Sequence, residues 1–145
     1  MNGSTTDGRT QRTAAEYMAG GLGAVYLAVG IVGFFVTPGV GFAARQGGDL
    51  LGIFEVNPLH NIVHLAIGIA LLAAFGAGAS AVRAVATLIG VTYLLVGVVG
   101  FVVQNSEANI LALNTPDHVL HVGSAVALLA AASMARHRTH VPATH

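Results

Sequence analysis

VNPLHNIVHLAIGIALLAAFGAGASAV, residues 56–82, runs for 27 residues without an Asp, Glu, Lys or Arg. A helix that spans a bilayer needs about 20 predominantly apolar residues, within a range of about 17 to 25. Three more uncharged gaps surround this one: 28 residues between Glu16 and Arg45, 23 between Arg83 and Glu107, and 18 between Asp117 and Arg136. Lipid offers no partner to an open backbone N–H or C=O, so each gap reads as a helix. The expected spans are roughly 17–36, 58–76, 84–103 and 116–135. The chain is thus an all-α membrane protein of four transmembrane helices, a domain over residues 14–135 with short tails at 1–13 and 136–145.

Composition agrees. Hydrophobic residues make up 54% of the 145 and charged residues only 8%, against roughly 25% charged in a soluble domain. So few charges cannot cover the surface of a soluble domain, and a neutral chain has no basic patch for nucleic acid. The absence of Cys removes disulfides, thiolate metal sites and a catalytic thiol. The first apolar run is too long for a signal peptide and has no convincing small-x-small cleavage site.

Arginine counting sets the orientation. Arg9, Arg12, Arg83, Arg136 and Arg138 fall on one side and Arg45 alone on the other. The positive-inside rule then makes both tails cytoplasmic in a bacterial inner membrane, with the 1–13 tail disordered. The loops near 37–57 and 104–115 face outward.

The sequence repeats itself. GAVYLAVGIVGFFV, 23–36, aligns with GVTYLLVGVVGFVV, 90–103. NPLHNIVHLAIGIALLAA, 57–74, aligns with NTPDHVLHVGSAVALLAA, 114–131. The pattern predicts two tandem two-helix repeats in a parallel bundle, with a pseudo-two-fold axis along the membrane normal. The shared glycines suit close approach of helices in lipid. Asn57–Pro58 and Asn114–Thr115–Pro116 read as helix starts, Asn capping and Pro in the first turn. The apolar segments just ahead of them, 53–57 and 110–114, read as short stretches lying at the interface. Tyr26 and Tyr93 lie mid-span, where a hydroxyl needs a partner.

Histidines carry the chemistry. His60 and His64 are one helical turn apart and project from one face. His64 aligns with His121, and His60 with Asp117. If the two helices face each other, His60, His64, Asp117 and His121 converge as ligands for Zn, Mn, Fe or Cu. His118, Asn57, Asn114 and Glu55 would support them from outside the ligand set. The alternatives left open are haem held by His64 and His121, proton or ion movement, and histidines that only hydrogen-bond between helices at the interface. His137, His140 and His145 read as solvated tail residues. No phosphate loop, serine elbow or paired intramembrane carboxylate points to an enzyme.

The motifs VNPLHNIVHLAIG (56–68) and LNTPDHVLHVGSA (113–125), with the Tyr-to-Phe segments 26–34 and 93–101, resemble domain-of-unknown-function family 4383. The likeness covers about residues 14–135. It implies a small four-helix bacterial membrane protein with no established activity. The family's second motif tends to read Asp-Asn before its His, whereas here Asp117 is followed by His118. The expected function is an integral membrane protein binding a divalent metal at its outward face. The alternative is a metal-free structural or accessory subunit of an envelope complex. A haem electron-transfer protein or small carrier ranks after both. The partners implied are the bilayer and either another membrane protein or a second copy of the chain.

Overall fold

A computed structural model of the protein describes residues 11–135. Its order is α1 (Ala14–Gly33), β1 (Gly48–Leu50), β2 (Phe54–Val56), α2 (Pro58–Ala77), α3 (Ala79–Val103) and α4 (Thr115–Met134). All four helices are long and apolar enough to cross a membrane. Their outer faces carry bare Val25, Ile31, Ile69, Leu95, Val98, Val102 and Val126. An exterior this apolar is matched by lipid rather than water. The protein is a multi-pass membrane protein whose surroundings are a bilayer.

Helix ends follow local chemistry more closely than charge gaps. Thr13 and Glu16 form a capping box that starts α1 at Ala14, ahead of the expected residue 17. Pro38 biases the residue before it away from helix, and α1 stops at Gly33 rather than 36. Gly78, at φ +102°, is the whole connection between α2 and α3. Arg83 therefore lies inside α3, which begins at Ala79, five residues before the expected start at 84. A charge ends an apolar run without ending a helix. The caps of α2 and α4 form as the sequence indicates, with Asn57 accepting from the His60 amide (2.8 Å) and Asn114 from the Asp117 amide (3.2 Å).

Packing is pairwise. α1 lies chiefly along α2, and α3 along α4. Glycines make the contacts close. A Cβ on Gly68 would meet the Leu27 backbone nitrogen at 2.6 Å, and one on Gly30 would meet the Asn61 carbonyl at 2.9 Å. In the other pair, a Cβ on Gly97 would meet Val122 at 2.8 Å and the His118 carbonyl at 3.1 Å. Leu71, Leu128, Val82, Ala86 and Ala125 fill the interior between the pairs.

The loops at one end form a cap. Within the 53–57 segment, Phe54–Val56 forms β2, which pairs antiparallel with β1 (Leu50 opposite Phe54). Leu51 and Gly52 turn the hairpin at φ +60° and +69°. Two asparagines tie the loops across the bundle. Asn57 Nδ2 donates to the carbonyls of Ala44 and Ile110, both at 2.8 Å. Asn114 Nδ2 donates to the Ile53 carbonyl, also at 2.8 Å. Each helix start therefore grips the loop that precedes the other.

Candidate metal centre

Beneath this cap, the first two turns of α2 and α4 bring three imidazoles together. His60 and His64 stand one turn apart on α2, their Nε2 atoms 3.2 Å from each other. His121 reaches them from α4, its ring centroid 6.1 Å from His60 and 6.3 Å from His64. One nitrogen from each ring lies within 4.8 Å of the other two. The three side chains are 1%, 5% and 6% exposed.

Hydrogen bonds fix part of the protonation pattern. His121 Nδ1 lies 2.6 Å from the Asp117 carbonyl. A carbonyl only accepts, so Nδ1 carries the proton and Nε2 keeps its lone pair. His60 and His64 can share at most one proton between their facing nitrogens, so at least one of these is an unprotonated acceptor. Lone pairs are thus gathered in an apolar interior. Two nitrogens bound to one tetrahedral zinc, at about 2.0–2.1 Å each, stand about 3.3 Å apart. The His60–His64 spacing is close to that figure, and a small inward movement of His121 would complete a three-nitrogen set.

The other expected residues go elsewhere. The Asp117 carboxylate folds back on its own helix and accepts the Asn114 amide at 3.0 Å, closing a capping box. It stays outside the group of three. His118 points away from the cluster and packs against Gly100 and Phe101. Neither of its ring nitrogens has a hydrogen-bond partner among the described residues. Glu55 accepts the Gly47 amide at 3.2 Å within the hairpin. Asn57 and Asn114 serve as caps and loop ties. His137, His140 and His145 lie outside the described residues.

This arrangement, with His64 and His121 on facing helices, is carried by a recognisable chain. The family described as Domain of unknown function (DUF4383) matches residues 16–134, which include all four helix cores and every histidine of the cluster. The chain belongs to this family. No curated protein and no solved structure matches it. In this DUF4383 protein two further residues pack against the histidine cluster. Tyr26 lies tilted beside His64, ring centroids 5.5 Å apart, and Tyr93 packs edge-on to His121 at 4.7 Å. The two phenol rings meet each other edge to face at 5.3 Å. The sequence marked them as mid-span polar groups in aligned positions; their place against the imidazoles follows only once α1 and α3 are set beside α2 and α4.

Proposed function

We propose that the protein binds one transition-metal ion inside the membrane domain, through His60, His64 and His121, at the outward-facing end. The carrying observation is three buried imidazoles with converging nitrogens on two different helices. Buried polar groups are normally satisfied by hydrogen bonds, and an uncompensated lone pair in an apolar site is unfavourable. A bound cation would engage one nitrogen of each of the three rings at once. A porphyrin fits less well, because it would have to part α2 from α4 where His60, Tyr26 and Tyr93 already fill the space.

The same proposal holds that the domain, residues 14–135, is a tandem pair of two-helix units related by a pseudo-two-fold axis. What supports this is the correspondence of contacts at aligned positions. Gly30 meets Asn61 and Leu65 as Gly97 meets His118 and Val122. Gly33 meets the Asn61 side chain as Gly100 meets the His118 ring. Arginine placement supports cytoplasmic tails, at 1–13 and 136–145, and an inner-membrane location. Cysteine in place of the exposed Gln46 should label from outside with an impermeant thiol reagent, and cysteine at 140 should not.

Elemental analysis tests the site. The protein, with His137, His140 and His145 changed to Gln, should retain near-stoichiometric metal through purification. His64→Leu/His121→Leu in that background should lose it. Equal metal in both samples would overturn the assignment of these histidines.

A further inference from the structure

We infer that the ion suited to this site is copper(I) rather than a divalent metal, an inference that rests on the three-histidine reading above. Three observations lead there. The donors are neutral: three imidazoles, with no carboxylate in the group, because Asp117 is held in its own capping box by the Asn114 amide at 3.0 Å. The site is shut in, with all three histidines nearly fully buried. The donor set is short, since no fourth His, Asp or Glu joins it among the described residues.

Charge decides first. The self-energy of an ion in a low-dielectric interior grows with the square of its charge, so a bare divalent ion is penalised about four times as heavily as a monovalent one. A divalent ion at this site would keep its full charge, because neutral imidazoles cancel none of it. Carboxylate ligands would cancel it, and they are the groups missing here. Coordination number points the same way. Structural zinc takes four protein ligands, and an open zinc site adds water as the fourth. Manganese and magnesium prefer oxygen-rich octahedral shells. Copper(I), a closed-shell monocation, is content with two or three nitrogens. Soft sulfur donors usually select it; here charge and coordination number take over that role. The Tyr26 and Tyr93 rings pack beside His64 and His121 and add no charge to the surroundings.

The test is competitive loading of the full chain in detergent under anaerobic conditions, with the three tail histidines changed to Gln. Copper(I) is buffered with bicinchoninate and zinc(II) with a zinc chelator. One equivalent of copper(I) should bind, with an affinity about 100-fold or more above that for zinc(II), in the direction set by the unequal burial penalty. A second variant reads charge directly. His64→Glu puts a carboxylate into the cluster from the second turn of α2, beyond the free amides of the helix start, and should narrow the copper-to-zinc ratio by about tenfold or more. Zinc(II) binding at this site as tightly as copper(I) would overturn the inference and leave the metal site standing. Retention of neither ion would overturn the site itself. A ratio unmoved by His64→Glu, in a protein that still folds and binds, would also overturn the inference, since charge would then not be what selects.

Discussion

The two helix pairs present aligned residues differently. In α2, the residue one turn before the shared histidine is His60, and its ring turns inward to His64 at 3.2 Å. In α4 the aligned residue is Asp117, and its carboxylate turns back to the Asn114 amide at 3.0 Å. The next residue also differs. Asn61 fills the notch at Gly33 and donates weakly to Thr37 at 3.4 Å, whereas His118 fills the notch at Gly100 with neither nitrogen partnered among the described residues. One pair therefore supplies two imidazoles to the centre and the other supplies one. A shared position in the sequence does not carry a shared role: a short carboxylate at the third helical residue finds the free amides of its own helix start, while a longer imidazole cannot and extends into the interior.

Breaking the caps should expose the contrast most strongly. Asn57 is fully buried and its side chain serves the His60 amide and two loop carbonyls. Asn57→Ala removes a cap and strands buried carbonyls, with an expected loss of about 3 kcal/mol. Asn114 makes one loop bond at a more exposed site, so Asn114→Ala should lose only about 1 kcal/mol. Thermal unfolding of both variants in one detergent would measure the difference. Equal losses would mean that the two loop ties are equivalent.

Gly68 and its aligned partner Ala125 give the next test. Gly68 lies against the α1 backbone, with no room for a methyl group, while the α4 position accommodates the Ala125 methyl in full burial. Gly68→Ala should destabilise by about 2 kcal/mol through overpacking. Ala125→Gly should cost about 1 kcal/mol through lost helix propensity and a small void. If Gly68→Ala is neutral, α1 and α2 are not as closely apposed as described.

The smallest effect belongs to the ion pair between the loops. Arg45 and Glu107 meet at 3.0 Å, but their side chains are 52% and 86% exposed. Solvent screens such a pair, and Glu107→Gln should shift stability by less than about 1 kcal/mol. A larger shift would show that this contact, rather than Asn57, holds the cap together.

Much of this was legible in the residues. Uncharged gaps gave four helices because a charge inside lipid is unfavourable, and Asn-Pro pairs located two helix starts. The i, i+4 histidines and their aligned partner pointed to one another because helix geometry puts them on single faces. The fate of Asp117 was also written locally, in Asn114-x-x-Asp117, a pattern that competes with metal binding for the same carboxylate. The hairpin was harder to see. Its turn needs a positive φ at Leu51, a residue type that gives no such signal. The tyrosine contacts depend on how the two helix pairs are set side by side, which no local pattern encodes.

The most direct test of the central claim is X-ray absorption at the edge of the bound metal, in protein whose tail histidines are Gln. The account requires a shell of imidazole nitrogens near 2 Å, which His121→Leu reduces by one. An oxygen-only shell, or a spectrum that His64→Leu/His121→Leu leaves unchanged, would contradict it.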